Sequence, residues 1–211
     1  MDYFIELLFS GLSRGAIYAL IALGYTMVYG IIGLINFAHG EIYMIGAFTS
    51  FIIATILTIL GFPGLAIILP AGLAAVIWSA SYGYTIEKIA YKPLRHAPRL
   101  SALISAIGMS MFLQNYVLLA QTSDFLPFPQ LIPDFDFMEP IAHIVGSSDM
   151  VILVTTTVVM ICLTILIKYT RIGKAMRATS QDRTMAMLVG INVNRIISIT
   201  FIIGSSLAAI G

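Results

Sequence analysis

The sequence is short of charge: only 10% of its 211 residues are Asp, Glu, Lys or Arg, against about a quarter in an ordinary soluble domain. An aqueous surface has to be covered with charged groups, so this scarcity excludes a soluble globular enzyme. Cysteine is almost absent. The single Cys162 leaves neither a disulfide framework nor a thiolate metal site within the chain, and inside the apolar run 158–167 it reads as a small buried hydrophobe. There are 3 histidines, with no HExxH and no second His or Cys at ligand spacing from His39, which speaks against a metal centre. A formal net charge of +1 offers nucleic acid no electrostatic attraction. A phosphate-binding G-x-x-x-x-G-K-[ST] loop is also missing, since Gly173-Lys174 is followed by Ala175 and has no glycine upstream at the required spacing. Any nucleotide energy must therefore come from another subunit.

Apolar residues are abundant instead. They make up 59% of the chain, and the mean hydropathy is +0.98. Stretches free of Asp, Glu, Lys and Arg run over 15–40, 42–86, 100–123, 150–167 and 196–211, and a helix needs about 20 such residues to cross about 30 Å of hydrocarbon. The second stretch contains Gly61-Phe62-Pro63-Gly64, which favours a turn, so it divides into two spans. The expected fold is all-α, a polytopic membrane helix bundle with six spans near 12–34, 40–60, 65–87, 100–121, 150–168 and 194–211. The segments are continuously apolar and do not alternate, which argues against a β-barrel.

Asp2 and Glu6 without an early basic residue, and no small-residue cleavage site, do not describe a signal peptide. Residues 1–10 fit a short interfacial helix with Tyr3, Phe4, Leu7 and Leu8 toward lipid. Basic residues concentrate in two loops: Lys88, Lys92, Arg95 and Arg99 in 88–99, and Lys168, Arg171, Lys174, Arg177, Arg183 and Arg195 around 169–191. The loop 122–149 carries Asp124, Asp134, Asp136, Glu139 and Asp149 with no Lys or Arg. The positive-inside bias makes the two basic loops cytoplasmic and the acidic loop periplasmic. If the first sixty residues cross twice, the N-terminus lies outside. His96 and His143 read as solvated loop residues, and Trp78, Tyr82, Tyr84 and Tyr91 as interfacial anchors.

Two segments carry unusual residues. Asn36, His39, Gly40, Glu41 and Tyr43 lie where the first apolar stretch meets the second, and a carboxylate at a helix centre costs about 3 kcal/mol on insertion scales. If helical, Asn36, His39 and Tyr43 share a face, while Glu41 points about 200° away from His39. Gly33, Gly40 and Ala47 would allow close helix approach. The cluster is either an element of a translocation path or a turn whose polar groups cap helix ends. The second segment, 169–191, reads as one or two short helices. Ala175, Ala178, Asp182, Ala186 and Val189 form a stripe of mostly small residues, Met176, Met185, Met187 and Leu188 add apolar contacts, and Gly190 ends it. Such a stripe suits a groove on another protein, and a basic helix holding anionic lipid is the alternative.

These residues bear a resemblance. The run 30–47, GIIGLINFAHGEIYMIGA, resembles the N-terminal signature of the bacterial branched-chain amino-acid ABC transporter permeases of the LivH type. The run 170–178, TRIGKAMRA, with Asp182, Ala186, Gly190 and Ile191, is similar to that family's cytoplasmic coupling loop. The resemblance covers essentially the whole chain. It implies a multi-pass permease of the bacterial inner membrane that works with a second permease, two cytoplasmic ATPases holding ATP and Mg, and a periplasmic substrate-binding protein. The chain itself would carry no cofactor. Arg171, Gly173, Ala175, Arg177, Ala178, Asp182, Ala186 and Gly190 would engage an ATPase, and the acidic loop, with Pro127, Pro129, Pro133 and Pro140, would be either a docking surface for the binding protein or a solvated periplasmic loop. Permeases of this kind continue beyond the sixth span, so 1–211 reads as one permease domain incomplete at its C-terminus. Related permeases carry urea, short amides or other amino acids, and a secondary transporter or channel using Asn36, His39 and Glu41 belongs to a different class.

Overall fold

The computed structural model of the chain describes residues 2–95, 97–122, 124, 126–129, 131 and 146–211. In order come α1 (Asp2–Ile32), α2 (His39–Ile59), α3 (Gly64–Ile86) running on into a wider π-type turn (Glu87–Tyr91), α4 (Arg99–Ala120), α5 (Ser147–Tyr169), α6 (Arg171–Gln181), α7 (Arg183–Leu188) and α8 (Val193–Ile210). Six of these, α1 to α5 and α8, are long and apolar enough to cross a membrane. In hydrocarbon every backbone amide needs an internal partner, and a helix supplies it. His96, His143, Pro133, Pro140 and most of the acidic loop lie outside the described residues.

The breaks between helices follow from local chemistry. Gly33, at φ 67°, takes the left-handed conformation that closes α1, and its N–H donates to Tyr29 O at 2.7 Å. Gly61, at φ 82°, does the same for α2, and extended Pro63 then starts α3, so the expected turn at 61–64 is present. Beyond α3 one amide bond widens, with Lys92 N–H donating to Glu87 O at 2.8 Å. The helix thus continues to Tyr91, and the expected basic loop 88–99 shrinks to the residues between Lys92 and the start of α4 at Arg99.

Several expectations need correction. Residues 2–10 do not form a separate interfacial helix. They are the first turns of α1, whose 31 residues extend about 46 Å because no breaker interrupts them. Cys162 is exposed, since α5 lies at the periphery of the bundle. Tyr91 is buried against Phe201 and does not anchor at an interface. The heptad Gly33, Gly40 and Ala47 does not bring helices of this chain together: Gly33 lies outside any helix, a Cβ at Gly40 would meet nothing within 4 Å, and Ala47 is exposed.

Close approach is made elsewhere, around α8. A Cβ on Gly24 of α1 would sit 2.6 Å from Gly204 O, and one on Gly204 would sit 3.0 Å from Gly24 O, so the two backbones meet at paired glycines. A Cβ on Gly83 of α3 would collide with Ser205 of α8, and one on Gly46 of α2 would lie 3.2 Å from Ala209. The central cluster joins Val28, Ile42, Ile86, Phe201 and Ile197. Leu20, Leu163 and Leu207 bind α5 to the other side of α8.

The turn 33–38, the end of α3 and the α6–α7 unit gather on one face, which carries most of the basic residues. The turn 61–64 lies on the other, where it packs against Leu131 of the acidic loop. α1 ends at the basic face and is unbroken over its 31 residues, so its N-terminal end lies on the opposite side of the bundle.

Candidate functional site

The polar side chains that sequence reasoning singled out around residue 40 fall into separate groups, Asn36 at the end of α3, His39 against α1 and Glu41 against α4. Asn36 is in the turn before α2, so it does not share a helical face with His39 and Tyr43. Its buried Oδ1 accepts from Ala38 N–H at 3.2 Å and lies 3.1 Å from the Tyr91 hydroxyl, which is also 3.3 Å from Ile35 O. The turn is thereby pinned to the end of α3. His39 opens α2, is buried, and places Nε2 3.2 Å from Ile21 O of α1, with the Tyr25 ring edge-on at 5.9 Å. Glu41 points the other way, half-buried, and accepts from Ser110 Oγ of α4 at 3.0 Å. His39 and Glu41 are not paired, as their spacing requires. Gly40 is exposed and Tyr43 half-buried.

Sequence reasoning missed Glu87. It is 0% exposed, a full carboxylate at the buried end of α3. Burying an ion costs several kcal/mol unless it is paired and hydrogen-bonded, and here three groups meet it. Oε1 accepts from Arg95 Nη2, Oε2 accepts from Ser198 Oγ at 2.8 Å, and Lys88 Nζ stands 4.0 Å from Oε2. Arg95 Nη1 also donates to Asn194 Oδ1, so one guanidinium ties the end of α3 to the start of α8. The signal was present: Glu87 is the only acidic residue between Glu41 and Asp124.

The 169–191 segment forms two helices, each capped by its own side chain. Thr170 Oγ1 accepts from Gly173 N–H at 3.0 Å, and Asp182 Oδ1 accepts from Thr184 and Met185 N–H at 2.8 and 3.0 Å. The cap at Asp182 breaks the small-residue stripe, because α6 ends at Gln181 and α7 starts afresh. Gly173, Met176 and Thr179 are the buried face of α6, and Ala186 is buried in the central cluster, so Gly173 and Ala186 turn toward this chain's own bundle. Ala175 and Ala178 are half-buried, while Arg171, Arg177, Asp182 and Gly190 are exposed. The free side of α7 and its end shows large apolar groups instead: Met185, Met187, Leu188 and Val189, the last two 76% and 74% exposed. Two arginines reach back to the spans. Arg177 Nη1 donates to Ile167 O and, at 3.3 Å, to Lys168 O at the end of α5; Arg183 Nη2 donates to Ile31 O at 2.7 Å and to Ile32 O at the end of α1.

On the acidic face, a cavity of about 1000 Å³ opens between α2, α3, α5 and the end of α8. Ile68, Leu73 and Val76 supply apolar walls, with hydroxyls from Ser50, Ser148 and Thr155. Among the described residues no three His, Cys, Asp or Glu side chains come together to hold a metal ion.

The family described as branched-chain amino acid transport system / permease component matches residues 7–211. The high-affinity branched-chain amino acid transport system permease protein LivH of Salmonella typhimurium is 47% identical over 219 aligned residues, covering 99% of this chain and 69% of the relative. LivH of Escherichia coli K12 is 46% identical and BraD of Pseudomonas aeruginosa, a permease protein of the same description, 48%, each with the same coverage. No solved structure matches. The chain is thus a multi-pass membrane protein and belongs to the permease components of the branched-chain amino acid transport systems.

Proposed function

We propose that the chain is a membrane-spanning permease of an ABC importer in the bacterial inner membrane and carries leucine, isoleucine and valine. Its partners are a second permease, two cytoplasmic ATPases that bind ATP and Mg, and a periplasmic binding protein. The basic face is cytoplasmic on this reading. The observation that carries it is the apolar ridge Met185, Met187, Leu188 and Val189, which stands exposed on a short helix outside the spans. Contiguous apolar side chains outside a membrane call for a protein cover, and a short helix laid in a groove provides one. On this reading the ridge, with Gly190 at its end, is the ATPase contact in place of the small-residue stripe. The cargo follows from the names of the relatives, and an aliphatic side chain suits the apolar walls of the outer cavity. A permease needs no tight site of its own when a binding protein delivers the substrate.

The test is affinity purification of the tagged, full-length permease in mild detergent. Two ATPases and a second permease should accompany the wild type, and L188D should lose the ATPases while remaining in the membrane. L188D that retains them at the wild-type ratio would remove the ridge from the contact.

A further inference from the structure

Helix α7 is joined by the chain to α6 and, through residues 189–192, to α8, but it has no covalent route to α1 other than the whole bundle. The route to α8 is an articulated one, passing through Gly190 at φ 85° and through mostly exposed residues. Toward α1 the connection is a grip. Arg183 Nη2 donates to Ile31 O at 2.7 Å and to Ile32 O, residues 152 and 151 positions away in sequence. The last four carbonyls of a helix have no intrahelical donor. Gly33 N–H takes Tyr29 O, and the guanidinium takes two of the rest, at the negative end of the helix dipole. One turn further along, Ala186 is buried in the same cluster as Ile31 and Ile32. Arg177 caps α5 in the same way, but α6 follows α5 directly after Thr170, so that cap only reinforces a connection the chain already makes. Arg183 makes one that the chain does not.

We propose that Arg183 is the positioning residue that makes α7 and the inner end of α1 move as one body. Displacement of the α6–α7 unit is delivered through it to α1, and onward to α2 through the His39 contact with Ile21 O. This rests on the ATPase-coupling reading of α6–α7 given above. The packing of Ala186 keeps the guanidinium within reach of both carbonyls, and a lysine ammonium, a single point donor without the planar fork, would not hold both in one geometry.

The test uses the complete importer, with spin labels at Tyr29, exposed on the last turn of α1, and Thr184 in a Cys162→Ser background. In the wild type the distance between the labels should be narrow and the same with and without ATP. In R183Q the ATPases should still copurify at the wild-type ratio, the distance distribution should broaden, and ATP hydrolysed per leucine carried should rise about tenfold, a usual size for coupling between sites. R183K should fall between the two. A nucleotide-dependent distance in the wild type overturns the proposal even if R183Q fails to fold, and so does R183Q with a wild-type hydrolysis-to-uptake ratio. If no ATPase accompanies the wild-type permease, the underlying coupling reading fails, a result distinct from either of these.

Discussion

Helices α5 and α8 are both membrane spans, yet they are built for different surroundings. Of the most apolar 18 residues of each, 56% are buried in α8 and 11% in α5, although α5 is the more apolar helix. Lipid rewards apolar surface on every side, so a peripheral span gains from continuous Val, Ile, Leu and Met. A central span must let backbones meet, and it buries Ser198, Thr200, Gly204 and Ser205 where α1 and α3 cross it. Within this chain, high hydropathy therefore marks the span least covered by other helices, and small or hydroxyl-bearing residues mark where helices meet.

Substitutions on the two helices and their neighbours should break this contrast unequally. The largest effect belongs to Glu87→Ala, which removes the buried acceptor shared by Arg95 and Ser198 and leaves them only Asn194 Oδ1 and Asn194 O; about 3 kcal/mol should be lost. Thermal unfolding in detergent measures it, and a midpoint near the wild type would show that the α3–α8 tie is dispensable. Next comes Gly83→Val, which drives a branched side chain into Ser205 and should cost about 2 kcal/mol by overpacking, seen as loss of the monodisperse peak in size-exclusion chromatography. Ser198→Ala removes one hydrogen bond to Glu87 and should lower stability by about 1 kcal/mol in the same unfolding assay. The smallest change is expected on α5. Thr157 is exposed and bonds only to Leu153 O of its own helix, so Thr157→Leu should shift stability by no more than about 0.5 kcal/mol. A loss as large as that of Gly83→Val would show that α5 is packed against protein.

Much of the fold was legible because the bilayer imposes it. The spans, the glycine–proline turn at 61–64 and the alternation of basic and acidic loops follow from length, hydropathy and charge. What stayed hidden depends on tertiary contact. Gly24, Gly83 and Gly204 carry no periodic mark that separates them from Gly33 and Gly40, and only the neighbouring backbone makes them matter. Tyr91 reads as an anchor until Phe201 and Asn36 are found beside it. Glu87 was passed over because its partners lie in a loop and in α8. In the 169–191 segment the helices and the stop at Gly190 were readable, but the stripe runs across the break between α6 and α7. The cap at Asp182 turns α7 so that Ala186 faces inward and the methionine–leucine–valine ridge faces out.

The most direct measurement is leucine uptake into proteoliposomes holding this permease, its partner permease and the ATPases, with binding protein on the acidic side and ATP on the basic side. Uptake that follows ATP hydrolysis, and is abolished by Leu188→Asp, is the result expected of an ATP-driven permease coupled through α7. Uptake driven by an ion gradient without ATP, and indifferent to Leu188→Asp, would contradict it.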